Sequence, residues 1–393
     1  MPVLNRFADL AEEITAWRRD IHENPEILFD THRTSALVAA KLRDFGCDEV
    51  VTGIGRTGVV GVIRGRDTGS GRVIGLRADM DALPMTEITG LPYASKTPGA
   101  MHACGHDGHT AMLLGAARYL TETRNFDGTA VVIFQPAEEG GGGGREMVAD
   151  GMMDRFGIQE VYGMHNHPGL PVGDFFLRPG PLMAASDVFT IQVIGQGGHA
   201  AQPHNTIDPV VVASQIVLGL QTIASRNTDP LKSAVVSVTS FHTESTSFNV
   251  IPETVELRGT TRSLDPGVQD VIEDRLRALV AGVAAAHGAT ATIDYVRNYP
   301  VTANSEAETD FAARVAAGIV GTGRVDTEAA PMMGAEDFSF MLNARPGAFI
   351  FVGNGDSAKL HHPAYDFNDE LIPYGCSYWA KLVETAMPSD TPA

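Results

Sequence analysis

Apolar side chains recur at helical spacing from the start of the chain. Five of them lie three or four positions apart, namely Leu4, Phe7, Leu10, Ile14 and Trp17. This spacing predicts an amphipathic helix, and similar patterns predict helices at 34–45 and 110–120. Mainly apolar runs at 58–63, 73–78 and 130–134 predict buried strands. Helices that alternate with buried strands indicate an α/β fold, with a mixed sheet flanked by helices.

The pattern changes at about residue 184. The predicted elements are then a strand at 187–194, a helix at 206–226, strands at 234–241 and 254–261, a helix at 267–287 and a strand at 290–296. This βαββαβ order is typical of a ferredoxin-like α+β domain. The earlier rhythm resumes with a helix at 306–320, a strand at 348–352 and a helix at 370–386. We therefore predict an α/β domain from residues 1–183 and 298–393, interrupted by an α+β domain at 184–297.

The charge of the chain excludes some classes of partner. There are 29 basic and 48 acidic residues, which gives a formal net charge of −19. A nucleic-acid partner is not expected, because phosphate binding needs a basic surface. An anionic membrane surface is disfavoured for the same reason.

Cysteine use and the N-terminal residues indicate a compartment. Three cysteines, an odd and sparse number, argue against a disulfide framework and are typical of a reducing compartment. Charged residues such as Arg6 and Asp9 interrupt the N-terminal stretch, so we expect no signal peptide. No run approaches the roughly 20 apolar residues of a membrane-spanning helix. We expect a cytoplasmic protein.

The densest group of chemically active residues precedes the predicted helix at 110–120. The segment from Met101 to His109 offers His102, Cys104, His106, Asp107 and His109. Imidazole and thiolate are good ligands for zinc and other late divalent metals. We predict a metal site here, and for His102 and His109 a role in supporting the fold stays open.

Two adjacent acids follow the predicted strand at 130–134. Ligands in open α/β sheets bind beyond the carboxyl ends of the strands, and Glu138 and Glu139 lie just past such an end. One acid would bind metal while the other takes a proton from water. The alternative is a solvated acidic loop.

Three other segments offer ligands. His165 follows a short apolar run, His362 lies close to the C-terminus, and either residue alone is a weak signal. They supply the imidazoles that a divalent centre still lacks after Cys104, His106 and Glu139. Asp79 and Asp81 lie at the end of a predicted strand. They could be metal ligands or could orient a ligating histidine, and for Asp81 we favour the orienting role.

A glycine motif at residues 53–58 fits the dinucleotide-binding fingerprint. Gly53, Gly55 and Gly58 have the required spacing, and Asp79 follows about twenty residues later. The fingerprint requires a helix after the glycines, whereas a strand is predicted there. We therefore interpret the motif as a hairpin turn.

Seven segments in order carry a family resemblance: MHACGHDGH, QPAEEGGGGG, GMHNHP, GQGGHAAQPH, FNVIP followed six residues later by GTTR, GAEDF and HHPAYDFND. From Arg18 to Trp379 the chain resembles the aminoacylase and carboxypeptidase family of dinuclear metallopeptidases. Within that family it is most similar to the branch of hippurate hydrolases and auxin-conjugate amidohydrolases. The resemblance implies a catalytic α/β domain with an inserted lid and dimerisation domain, and hence a homodimer.

The resemblance also implies a site with two divalent ions. Manganese, zinc, cobalt and nickel all tolerate mixed nitrogen, oxygen and sulfur ligands, so the identity of the metal stays open. Cys104 would bridge the two ions, in place of the aspartate of the wider family. His106 and His165 would complete the coordination of one ion, and Glu139 and His362 would complete that of the other. Glu138 would be the general base and later the general acid. Asp79 stands where the wider family has a metal-binding histidine, so its role stays open.

The inserted domain has matches of its own. His199 resembles a lid histidine that stabilises the oxyanion in the partner subunit's site. Asn249 and Arg262 match residues that bind the substrate carboxylate, and an arginine fork suits that group. Gly334 matches a backbone contact to substrate. Without the resemblance, a surface salt bridge would be the better interpretation of Arg262.

The activity implied is hydrolysis of the amide bond of N-acyl amino acids. Dipeptides and small peptides are alternative substrates, and the acyl group stays open. A hydrolase with Cys104 as nucleophile and a binding protein without activity are further alternatives.

Overall fold

The computed structural model describes residues 4–389, which form two compact units. One unit comprises the described residues up to Leu182, Ala303–Ala330 and those from Asp337 onward; the other comprises Met183–Thr302 and Pro331–Glu336. No helix among the described residues combines the length and apolar character needed to cross a membrane.

Ten α-helices lie within residues 4–389. They are α1 Asn5–Glu23, α2 His32–Asp44, α3 His106–Thr123, α4 Gly143–Ala149, α5 Met152–Arg155, α6 Pro209–Thr222, α7 Pro266–Ala286, α8 Glu306–Val320, α9 Ser339–Ala344 and α10 Ile372–Ala386.

Sixteen strands lie in the same part of the chain. They are β1 Glu49–Ile54, β2 Gly58–Arg64, β3 Val73–Asp79, β4 Thr129–Gln135, β5 Glu160–Pro168, β6 Phe175–Phe176, β7 Gly180–Met183, β8 Ala185–Ile194, β9 Gly198–His199, β10 Ala234–Thr243, β11 Val250–Ile251, β12 Thr254–Ser263, β13 Thr290–Tyr299, β14 Thr302–Asn304, β15 Val325–Asp326 and β16 Gly347–Gly355.

An eight-stranded mixed sheet forms the centre of the first unit. Its strand order is β1-β2-β4-β3-β5-β16-β6-β15, and the central strands β4, β3, β5 and β16 are parallel to one another. Helices α1, α3 and α10 pack together over a core that includes Leu76, Leu114 and Trp379. The predicted mixed sheet flanked by helices is confirmed.

Helix α3 begins earlier than the apolar pattern predicted. It starts at His106, after Gly105, whose φ of +93° lies in the left-handed region. A side chain at Gly105 would also lie 2.7 Å from the hydroxyl oxygen of Tyr365. The first turn of α3 carries polar residues that are buried nonetheless, so apolar periodicity could not reveal it.

The glycine motif at 53–58 is a hairpin turn, as predicted. Strands β1 and β2 pair antiparallel on either side of it. Gly53, Gly55 and Arg56 have positive φ angles of 85°, 58° and 72°. No helix follows the glycines, so the motif lacks the context that nucleotide binding requires.

The second unit contains a four-stranded antiparallel sheet in the order β10-β12-β8-β13. Helices α6 and α7 cover one face, with Phe189, Ile216 and Ile272 in the core. This order and the βαββαβ sequence of elements confirm the ferredoxin-like prediction.

The helix predicted at 206–226 is divided into two segments. Asp208 caps α6 by accepting a hydrogen bond from the Val210 amide, 2.9 Å away, and Pro209 occupies the first helical position. The last turn, Ile223–Asn227, is a π-helix. A proline at the first turn and a capping aspartate explain why the helix begins three residues late.

Helix α7 allows a matched test of the core of the second unit. Its buried stripe recurs every four residues and includes Ile272, which is fully buried, whereas the adjacent Val271 is 37% exposed. We expect Ile272→Ala to lower the free energy of unfolding by about 2–5 kcal/mol. Val271→Ala should change it by less than about 0.5 kcal/mol. Urea unfolding followed by circular dichroism measures both, and equal losses would contradict this core assignment.

Candidate metal centre

Three parallel strands end at the same edge of the sheet in the first unit. Asp79 is the last residue of β3, Glu138 and Glu139 follow the end of β4, and His165 lies near the end of β5. The loop before α3 contributes Cys104. The sheet topology therefore brings together residues that are far apart in the sequence.

Cys104, His106 and His165 form the first group of candidate ligands. One ligand atom from each lies within 4.8 Å of the others, and all three residues are buried. The Sγ atom of Cys104 lies 3.4 Å from Nε2 of His165. These three residues are among those predicted to hold metal.

The two histidines both use Nδ1 to bind a backbone carbonyl oxygen. Nδ1 of His106 donates to the carbonyl oxygen of Asp81 at 2.8 Å, and Nδ1 of His165 donates to that of Asn166 at 2.7 Å. A carbonyl oxygen can only accept, so both Nε2 atoms are free of protons in the neutral rings. Nε2 of His106 is buried and has no hydrogen-bond partner among the described residues. This is the arrangement of metal-ligating histidines.

Cys104 also belongs to a second group, with Glu139 and His361. Nε2 of His361 lies 3.2 Å from Oε1 of Glu139, and this oxygen is buried without a hydrogen-bond partner in the described chain. The donor set of both groups, with imidazole nitrogens, a thiol and a carboxylate, fits a late divalent metal.

His361 occupies the position that the sequence analysis gave to His362. The backbone of His361 has a φ of +62°, and its amide donates to the carbonyl oxygen of Ala103 at 2.8 Å. His362 is exposed, and its Nδ1 accepts from the Ala364 amide at 3.1 Å. The structure therefore does not bring His362 into either group, and it shifts the candidate ligand by one residue. The doubled histidine was the available signal, but it could not decide between neighbours.

Asp81 holds the turn that carries the two glutamates. Its carboxylate accepts from the amide of Glu138 at 2.9 Å and from that of Glu139 at 3.0 Å. One of its oxygens also lies 3.5 Å from Nδ1 of His106. Ala137, just before the pair, has a φ of +55°. A single buried carboxylate thus orients a histidine and both acids.

Asp79 is held in a separate buried network. It accepts from Arg77 at 2.8 Å and from Nδ1 of His109 at 2.6 Å. The other nitrogen of His109 lies 2.7 Å from Oδ1 of Asn166. Asp79, His106 and His109 also form a group with metal-ligand spacing. Because Asp79 and His109 already bind each other, their geometry favours support of the fold.

The electrostatics of the centre favour a cation. Burial raises the pKa of the Cys104 thiol well above its usual value, and Glu139 and Glu138 add to this effect. Burial opposes a charge on His106, but the carboxylates of Asp79 and Asp81 outweigh it and raise the pKa of His106 to about 10. A divalent ion would reverse the first effect, because it stabilises a coordinating thiolate.

The other predicted site residues lie in the second unit. His199, on β9, is exposed, and its Nδ1 accepts from the Ala201 amide at 3.1 Å. Asn249 is exposed, and Arg262, on β12, is half-buried and donates to the carbonyl oxygen of Thr261 at 2.9 Å. The carbonyl oxygen of Gly334 accepts from the Ala184 amide at 2.8 Å.

The role of Asp81 can be tested by metal binding. We expect Asp81→Asn to weaken the binding of Zn²⁺ or Mn²⁺ by about 10- to 100-fold, because the turn carrying Glu139 loses one of its two acceptors. Asp265→Asn is a matched control, since Asp265 also accepts two backbone amides, those of Gly267 and Val268, at the start of α7. Calorimetric titration measures both, and unchanged affinity in Asp81→Asn would refute the role.

Comparisons with known proteins agree with this geometry. The sequence profile of Peptidase family M20/M25/M40 matches residues 75–385. The chain is 43% identical to a hippurate hydrolase of Campylobacter jejuni over 382 residues, covering 97% of this chain and 98% of that protein. It is 41% identical to thermostable carboxypeptidase 2 of Saccharolobus solfataricus over 396 residues, covering 97% and 98%.

A solved structure from Bacillus subtilis is also similar. It is the YXEP protein, described as a dinuclear metal binding peptidase from the M20 family. Its TM-score is 0.84 at 35% sequence identity, with 97% of this chain and 99% of that chain covered. These matches confirm the resemblance drawn from the seven motifs: the chain belongs to peptidase family M20/M25/M40.

Proposed function

We propose that the protein is a metal-dependent amidohydrolase that splits N-acyl amino acids into a carboxylic acid and an amino acid. One observation carries the proposal: ligand atoms of Cys104, His106, His165, Glu139 and His361 form two groups with metal-ligand spacing that share Cys104. The similarity to a hippurate hydrolase supports the reaction class.

Cys104 belongs to both ligand groups, which supports its assignment as the ligand shared by two divalent ions. His106 and His165 would complete the coordination of one ion, and Glu139 and His361 would complete that of the other. His361 thus replaces His362 in the proposed ligand set. When bound, such ions supply Lewis acidity, which lowers the pKa of water and polarises a carbonyl group. Manganese, zinc, cobalt and nickel all accept these donors.

Glu138 is the proposed general base. Its carboxylate lies within 4.8 Å of ligand atoms of His106 and Glu139, and its backbone is fixed by Asp81. It would take a proton from the attacking water and pass it to the leaving nitrogen as the C–N bond breaks. Water is thereby added across the amide bond.

The remaining roles are assigned to residues of the second unit. Arg262 and Asn249 would bind the carboxylate of the substrate, with Gly334 as a backbone contact. His199 would stabilise the oxyanion in the site of a second copy of the chain, which makes a homodimer part of the proposal. The sparse cysteines support a cytoplasmic location.

A carboxypeptidase activity on small peptides is the second candidate. It is favoured by the similarity to thermostable carboxypeptidase 2. Both reactions break an amide next to a free carboxylate, so the proposed ligands and base serve either one.

Chelation and a base variant together test the proposed mechanism. We expect EDTA to abolish hydrolysis of N-benzoylglycine and added Mn²⁺ or Zn²⁺ to restore it. Glu138→Gln should keep its bound metal but lose about 10²- to 10⁴-fold in kcat, the usual contribution of a general base. Activity that survives complete metal removal would instead favour Cys104 as a nucleophile. Unchanged turnover in Glu138→Gln would contradict the assignment of Glu138 as the general base.

The two adjacent histidines provide a matched pair. We expect His361→Ala to weaken one of two metal-binding events by at least about 100-fold, since the loss of a ligand exceeds the loss of its supporting hydrogen bond. His362→Ala should leave both events within about threefold of the unsubstituted protein, because the His362 ring is exposed and its Nδ1 accepts from the Ala364 amide. Calorimetric titration gives stoichiometry and affinity, and the reverse pattern would restore His362 as the ligand.

A further inference from the structure

Strand β5 carries a second histidine on the same side as the ligand His165. Successive side chains of a strand point to opposite faces, so His165 and His167 share one face. Met164 and Asn166 point to the other face, where Met164 joins the core and Asn166 contacts His109. His167 is half-buried, and its Nδ1 is buried without a hydrogen-bond partner among the described residues.

The neighbouring strands extend this face with aromatic rings. Phe351 of β16 is in register with His165, and Phe176 of β6 is in register with Phe351. The rings of Phe176 and Phe351 are stacked, with centroids 4.7 Å apart and planes at 12°. The His167 ring stands edge-on to both, at 5.1 Å from Phe176 and 5.8 Å from Phe351.

We call Phe176, Phe351 and His167 the aromatic face. It begins beside the metal centre, because the Phe351 ring lies 5.8 Å from that of His165. Phe351 is 2% exposed and closes the back of the face, whereas Phe176 and His167 keep part of their surface accessible. The partly exposed ring of Phe176, stacked on Phe351, offers an apolar surface against which another ring can stack or pack edge-on.

We propose that the aromatic face binds the acyl group of the substrate and selects aromatic acyl groups over small aliphatic ones. This inference rests on the proposed function and adds the substrate class to it. Asn249 and Arg262 are proposed to bind the substrate carboxylate, so the acyl group, on the other side of the amide bond, needs a surface of its own. The bulk of a benzoyl or indoleacetyl group lies within one or two bonds of the scissile carbonyl, a reach that suits rings adjacent to His165.

Two substitutions at Phe176 test the selection. Phe176→Ala removes the ring, and Phe176→Leu keeps an apolar side chain if the smaller residue prevents folding. The control is Phe311→Leu. Phe311 is also a partly buried phenylalanine, but it is not part of the aromatic face: its ring packs edge-on against Tyr162, with centroids 6.1 Å apart. The substrates are N-benzoylglycine and N-acetylglycine, which differ only in the acyl group, and N-acetylphenylalanine, which differs from the second only in the amino acid.

We expect the unsubstituted, metal-loaded enzyme to prefer N-benzoylglycine to N-acetylglycine. In Phe176→Ala, kcat/KM for N-benzoylglycine should fall about tenfold or more, while that for N-acetylglycine stays within about twofold. Phe176→Leu should show a smaller loss in the same direction, and Phe311→Leu should leave the ratio unchanged.

Equal losses for both acylglycines would overturn the inference, as would a selective loss for N-acetylphenylalanine, which would assign the face to the amino acid side chain. Binding gives an independent measurement: Glu138→Gln in the Phe176→Ala background should bind N-benzoylglycine about tenfold more weakly than Glu138→Gln alone. If the unsubstituted enzyme hydrolyses acylglycines in a chelator-sensitive reaction without preferring the aromatic one, the inference fails while the proposed function stands. Failure to hydrolyse any N-acyl amino acid overturns both.

Discussion

Negative charge buried where β3 and β4 end is the constraint on which the first unit depends. Asp79, Asp81, Glu138 and Glu139 converge there with the thiol of Cys104. A buried carboxylate is costly unless it is paired with a cation or hydrogen-bonded. Arg77 and His109 satisfy Asp79, and backbone amides satisfy Asp81. Glu139 pairs with His361, and Nε2 of His106 lacks a hydrogen-bond partner among the described residues. Both are ligands in the proposed metal centre.

Backbone geometry positions the candidate ligands around this charge. Gly105 takes a left-handed conformation, which starts α3 at His106 directly after the loop carrying Cys104. His361 takes the same region of backbone space at a φ of +62°, with its amide bound to Ala103. A non-glycine residue in this region is strained and persists only where its surroundings hold it. That strain at His361, next to Glu139, is typical of a functional position.

The sequence analysis predicted most helices and strands and four of the five residues that the structure groups around Cys104, but it named His362 where the structure places His361. Apolar periodicity predicted both domain types, because burial on one face sets the period. The motif order added His165 to Cys104, His106 and Glu139. The placement of His361, rather than His362, beside Glu139 depends on one backbone angle and one hydrogen bond, which leave no periodic pattern. The aromatic face was also missed, since Phe176 and Phe351 meet His167 only through the pairing of three strands that are distant in sequence.

The shared thiolate is the central claim, and a cobalt titration tests it most directly. Co²⁺ added to metal-free protein should produce the thiolate-to-cobalt charge-transfer absorption, which should grow until two equivalents are bound. In Cys104→Ser the same titration should give no such absorption. A titration that saturates at one equivalent, or one without a thiolate band, would contradict a two-metal centre built on Cys104.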